Sequence, residues 1–149
     1  MKASDVRLDL VRIENITGTA FGQSDEAETA KLKAIFNARI VSDLEGLSKG
    51  DLFELRLRFA AIIGDEETPS YEIEVAGDFI IEDEHIVKEI KTEAGVYETA
   101  SLLFPYLRQF SKPILESLGT GNIDFPFYIA LPPPTRKKGS SKARADKSA

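Results

Sequence analysis

His85 is the only histidine in the chain, and it stands beside Asp83 and Glu84, a trio that invites a metal or acid–base reading. A transition-metal site needs more nitrogen or sulfur ligands than one imidazole, and the chain has no cysteine to supply them. His85 therefore reads as a solvated loop histidine. Two carboxylate clusters, Asp65-Glu66-Glu67 and Glu82-Asp83-Glu84, are consecutive, whereas a calcium loop spaces its ligands around a turn glycine. They read as solvated turns. Asn15-Ile16-Thr17 fits a glycosylation acceptor, which matters only in a secreted chain. Gly119-Thr120-Gly121 is too short to cradle a phosphate and follows an apolar helical pattern instead of opening one. With one histidine and no cysteine, neither a Ser/His/Asp set nor a thiol nucleophile can be argued. The inventory speaks against an enzyme and implies no cofactor and no metal.

What these residues would be mounted on is a chain of 149 residues, one domain's length, with 42% hydrophobic content. Without disulfides, stability must come from packing or from packing plus assembly. The N-terminus carries no apolar run with a small-residue cleavage site, and no stretch approaches the ~18 apolar residues of a membrane span, so a cytoplasmic protein is expected. Net charge is −6 and unevenly spread. Residues 135–149 hold six Lys or Arg against Asp146, which leaves thirteen basic and twenty-four acidic residues, or −11, on residues 1–134. An acidic body repels nucleic acid and favours basic segments. The basic tail, lacking aromatic residues, reads as a solvated, disordered end; the organisation expected is a domain over 1–134 and a tail over 135–149.

Val6, Leu8 and Leu10, continued by Ile13 and Ile16, suggest a half-buried first strand. A second segment from Lys31 mixes signals: Leu32, Ile35 and Phe36 have helical spacing, while Ala38, Ile40 and Ser42 alternate, and we read a strand. Phe53, Leu55, Leu57 and Phe59 alternate cleanly with Glu54, Arg56, Arg58 and Ala60, and Tyr71, Ile73 and Val75 with Glu72, Glu74 and Ala76. The polar turn 64–69 joins these two into an antiparallel hairpin with one apolar and one charged face. Arg56 and Arg58 are then placed to pair with Glu72 and Glu74 across it.

From Tyr97 to Leu118 the period changes. Leu103, Leu107, Phe110, Ile114 and Leu118 form a helical stripe, widened by Leu102 and Tyr106. Pro105 suits a first turn with Ser101 as its cap, and Pro113 is expected to kink the later part. Ile123–Leu131 then runs extended and apolar, with Phe125, Phe127 and Tyr128 read as core or interface ahead of client contact, to Pro132-Pro133-Pro134. The fold class is α+β, a four-stranded antiparallel sheet packed with one long helix. So apolar a helix exceeds what one small sheet covers, and Leu103, Tyr106, Leu107 and Ile114 are assigned to an oligomer interface.

Gly64-Asp65-Glu66-Glu67-Thr68, then Glu74-Val75 and Gly77-Asp78-Phe79-Ile80-Ile81, resembles the central hairpin of SecB export chaperones. Leu103-Phe104-Pro105-Tyr106 followed by Arg108 resembles that family's Leu-Phe-Pro-Tyr-Ala-Arg helix start, with Leu107 in place of the alanine. The resemblance covers roughly residues 50–120. It implies an ATP-independent holdase assembled as a dimer of dimers, whose apolar grooves bind unfolded client polypeptides. It further implies groove residues Phe79, Ile81, Phe104 and Phe110, and an acidic face including Glu72 and Glu74 for docking the SecA motor. A toxin–antitoxin version instead protects an antitoxin, and the two roles stay open. The chain departs from export members after the helix, where Pro132-Pro133-Pro134 and a basic tail replace a second helix and an acidic tail. Two rivals from other classes stand beside this reading: a small-ligand-binding or structural α+β domain, and nucleic-acid binding by the tail.

Overall fold

The computed structural model describes residues 5–19, 32–63 and 68–119. The segments 64–67 and 120–149, and with them part of the hairpin turn, the apolar run 123–131 and the basic tail, lie outside the described residues. Four strands, β1 (Val6–Gly18), β2 (Leu32–Ile40), β3 (Leu52–Ile63) and β4 (Tyr71–Ile81), form one antiparallel sheet in the order β1-β4-β3-β2. A 3-10 turn (Glu84–Ile86) leads into α1 (Val87–Ile90), α2 (Glu93–Ser101) and α3 (Phe104–Ser117). The α+β architecture expected from the periodicities is the one observed.

Phe53, Leu55, Leu57 and Phe59 pair directly with Phe79, Gly77, Val75 and Ile73, so one face of the central hairpin is continuously apolar and buried. Phe53 stacks on Phe79 at 5.5 Å, and Phe59 lies between Phe36 at 4.9 Å and Tyr71 at 6.1 Å. The mixed pattern of the second segment resolves as a strand. Phe36 is opposite Phe59 in the core, whereas its neighbour Ile35, the other half of the helical signal, turns to the opposite face.

β1 departs from simple alternation. Its register shifts between Leu8 and Leu10 and again between Ile13 and Asn15. Each shift is a bulge, and a bulge exchanges the faces of the residues that follow it. Leu10 thereby leaves the core face, to stand opposite Asp78, and Val11 takes its place opposite Gly77. The expected alternation Val6, Leu8, Leu10 holds only for its first two members.

The helical run is divided where one helix was expected. Ser101 is not the cap of the later helix; it closes α2, its hydroxyl donating to the Glu98 carbonyl at 2.5 Å. Leu103 caps α3 with no side-chain hydrogen bond, and Pro105 occupies the first turn, where a missing N–H costs nothing. Thr92 supplies the side-chain cap for α2, accepting from the Gly95 N–H at 3.1 Å. Pro113 sits inside α3 and leaves the Gln109 carbonyl without its helical donor. Both residues are exposed, and the helix continues through the proline to Ser117. Gly119, at φ +91°, ends it in the left-handed conformation.

Candidate functional site

α3 lies along the sheet from Gly77 to Gly18. A Cβ on Gly77 would stand 2.7 Å from Leu103 at one end of the helix, and a Cβ on Gly18 would stand 2.8 Å from Leu118 at the other. Between them the Tyr71 hydroxyl donates to Ser111 at 2.8 Å in the core. Burial pushes the Tyr71 phenol up, so it stays a neutral donor. The helix sits chiefly over β4, and β1 is left with an open flank.

That flank is a trough. Leu8, Asp9, Leu10 and Val11 of β1 face Tyr106, Gln109 and Phe110 of α3 around a solvent-open space of about 370 Å³. Leu10 (53% exposed), Ile13 (43%), Ile16 (37%) and Tyr106 (39%) are large apolar or aromatic side chains left uncovered. Ile13 pairs with Val75 and Ile16 with Ile73, both core-face residues, so the apolar strip continues along the helix side of β1 towards Gly18. The trough is lined by polar and apolar surface in equal parts, with one carboxylate, one amide and one phenol among its groups. Uncovered apolar side chains of this kind mark a surface that can bury part of another polypeptide.

The opposite face of the sheet is ionic. Arg39, Arg56 and Arg12 stand in one row across β2, β3 and β1, with Ala76 of β4 fully buried beneath them. Carboxylates bracket this row. Arg12 reaches Asp78 at 3.1 Å, Glu14 at 2.6 Å and Glu54; Arg56 reaches Glu54 at 3.3 Å and Glu74 at 3.5 Å; Arg39 reaches Glu74 at 3.7 Å. Arg58 and Glu72 meet at 2.5 Å, and the guanidinium holds the Glu72 carboxyl below its ordinary range. Opposite charges do pair across the hairpin, diagonally, because Glu74 is the direct partner of Arg58. Glu72 and Glu74 thus stand in a charge-balanced lattice.

No family model matches the chain, and no curated protein matches it. Among solved structures, a Mycobacterium tuberculosis SecB-like chaperone, in complex with a ChAD peptide from the HigA1 antitoxin, superposes with a TM-score of 0.59 over 83% of this chain and 90% of that one. The fold is SecB-like. At 14% identity the likeness is one of architecture.

Within this SecB-like fold the residues singled out from sequence separate into two sets. Phe79, Ile81 and Phe104 are core: Phe79 and Ile81 have no exposed surface, and the Phe104 ring packs 5.3 Å from Phe36. Of the four groove candidates only Phe110 lines the trough. Leu103 and Leu107 are fully buried against their own sheet, while Tyr106 and Ile114 are the members of the interface set that keep accessible surface. Leu8, Leu10, Val11 and Gln109 were not singled out. Their signal was present in the spacing of β1, where Leu10 and Val11 are adjacent apolar residues and Ile13 and Ile16 stand three apart, a pattern that only bulges reconcile with a strand. His85 is exposed in the 3-10 turn, and its N–H donates to Asp83 at 3.0 Å. Among the described residues there is no cluster of three metal-ligating side chains, and no helix long and apolar enough to cross a membrane.

Proposed function

We propose that this protein is an ATP-independent holdase that binds non-native polypeptide in the trough between β1 and α3. The observation that carries the reading is the open apolar surface of Ile13, Ile16, Tyr106 and Phe110 on the helix side of a SecB-like fold. A client buries its own apolar side chains there, at about 25 cal/mol per Å² removed from water, and affinity is spread over many weak contacts. The similar chaperone was solved with an antitoxin peptide, which supports a dedicated client of that kind for this chain as well. We place such a client ahead of SecA-coupled export. Glu72 and Glu74, the docking residues inferred by resemblance, spend their charge on Arg58, Arg56 and Arg39, which leaves little field to steer a cationic partner. Assembly as a homotetramer, a dimer of dimers in the cytoplasm, belongs to the same reading, with Ile114 at the contact and Tyr106 left to the trough.

Light scattering of an aggregating, chemically unfolded protein tests it, after size-exclusion chromatography has fixed the assembly state. Suppression near stoichiometric ratio without ATP is the expected result. A well-folded chain that leaves aggregation unchanged overturns the reading.

A further inference from the structure

The three most exposed large apolar side chains among the described residues meet at one end of the outer, ionic face of the sheet. Leu10 and Leu52 are each 53% exposed, and Val41 is 46% exposed. Leu52 pairs with Ile80 of β4, and both alternate with core residues, Phe53 and Phe79, which puts them on the outer face. In the next row Leu10 stands opposite Asp78 and Asp78 opposite Glu54. Val41 continues that row past the end of β2, its N–H donating to the Glu54 carbonyl at 3.0 Å. Leu10 is therefore diagonal to Ile80, and Val41 to Leu52, separations that long side chains bridge. The four residues form a zigzag apolar band that crosses the sheet, about 14 Å from side to side at the strand spacing.

Charge around this band is not balanced. The turns 41–51 and 82–85 border it, since the Gly50 N–H donates to the Ile81 carbonyl at 2.7 Å and the Ile81 N–H to the Asp51 carbonyl at 3.0 Å. They carry Asp43, Glu45, Asp51, Glu82, Asp83 and Glu84 against Lys49. Arg7, opposite Ile80, meets Glu82 at 2.8 Å. Six carboxylates against these two cations leave an excess of four negative charges beside uncovered apolar side chains.

We propose that the band of Leu10, Ile80, Leu52 and Val41 docks a cationic, apolar segment of another protein, whose apolar side chains cover the band while its Lys or Arg side chains reach the carboxylate rim. Charge selects this occupant. A second copy of the chain, paired about a two-fold axis, would bring two acidic rims together, and like charges set face to face oppose association. Nucleic acid and anionic lipid are repelled for the same reason. A basic segment gains from both parts of the surface, from the rim in steering and from the band in apolar burial. Val41, Leu52 and Ile80 take no part in the trough, and Glu72 and Glu74 lie towards the other end of β4. A partner here leaves the helix side of the sheet open, so a client and a partner can occupy one molecule together. That last consequence rests on the holdase reading; the docking itself does not.

The probe is a short fluorescent peptide of alternating leucine and lysine, read by anisotropy against the full chain carrying Ile13→Gln with Tyr106→Gln, which blunts the trough. Binding is expected to persist in that background. Adding Val41→Gln with Leu52→Gln is expected to weaken it about ten-fold or more, the factor carried by one leucine-sized apolar contact. Both positions are exposed, so the variant keeps its fold, which a circular dichroism melt checks. The counterpart peptide with glutamate for lysine is expected not to bind, and added salt to weaken the lysine peptide. Unchanged affinity after Val41→Gln with Leu52→Gln overturns the proposal. Loss of binding in the trough background alone overturns it too, because the peptide then belongs to the trough, and so does equal affinity for the glutamate peptide. A dimer that Val41→Gln with Leu52→Gln dissociates in size-exclusion chromatography gives the band to a second copy and likewise overturns it. Aggregation suppression by the same proteins decides the holdase reading separately, since the peptide can bind the band whether or not the chain holds unfolded clients.

Discussion

Tyr71 and Ser111 share a buried hydrogen bond of 2.8 Å that ties the first residue of β4 to the middle of α3, forty positions later in the chain. Both side chains are inaccessible to water, and among the described residues no buried side-chain polar atom is left without a partner. Removing either hydroxyl strands the other in the core, which costs about 1–3 kcal/mol. Tyr71→Phe and Ser111→Ala are each expected to lower stability by such an amount in urea denaturation. The double variant should lose less than the sum of the two, because it removes both polar groups together.

Gly95 is required for steric reasons alone. A Cβ there would stand 1.9 Å from the Glu89 carbonyl oxygen, a backbone atom at the corner between α1 and α2 that cannot swing aside like a side-chain tip. Thr92 caps α2 at the same corner, donating to Glu89 at 2.6 Å and accepting from Gly95. Gly95→Ala is expected to destabilise by at least the ~1–3 kcal/mol of an overpacked core, despite the better helix propensity of alanine. A thermal midpoint equal to that of the parent would contradict the packing described for this corner.

The central hairpin was legible because Phe53–Phe59 and Tyr71–Val75 obey a single period with charges on the other face, and one register satisfies both strands. Pro105 was legible as a first-turn residue because its chemistry permits little else. The trough was not. Its β1 wall depends on two bulges, which a strict alternation template treats as noise, and its α3 wall depends on which part of a broad apolar arc the sheet covers. Leu103 and Tyr106 are neighbours on that arc, yet one is fully buried and the other open, a difference set by where the helix lies over β4. On the outer face the pairing of Arg56 and Arg58 with Glu72 and Glu74 was legible from the hairpin, but its extension to Arg12 and Arg39 was not, because the arginine row draws on three strands that are far apart in sequence.

Glu72 gives stability a pH dependence with a definite sign. Its carboxyl is held low chiefly by the hydrogen bond from Arg58, against a smaller opposing effect of burial. A depressed folded pKa contributes stability that is fully present above the unfolded value, about 4.3, and is lost as pH falls through the folded one. The pair is partly exposed, so the contribution is below about 1 kcal/mol. Glu72→Gln is expected to be slightly less stable than the parent at pH 7, and the gap should close in acid, below pH ~4. Urea midpoints of both proteins across this range check it, and a gap that widens in acid would contradict the assignment.

Core and trough separate most sharply through substitutions of similar residues on either side of α3. Phe79 is fully buried and stacked on Phe53, so Phe79→Ala is expected to cost about 3–5 kcal/mol and to reduce every activity with the fold. Ile13 and Tyr106 each keep more than a third of their surface. Ile13→Asp with Tyr106→Asp therefore places charge where water already reaches, and stability should change by no more than about 0.5 kcal/mol per site. The same charge lies across the path of an apolar client, so suppression of aggregation should fall several-fold in a protein that melts as the parent does. Circular dichroism melts and light scattering on the three proteins decide the matter. If the surface variant keeps full suppression, client binding lies elsewhere on the molecule.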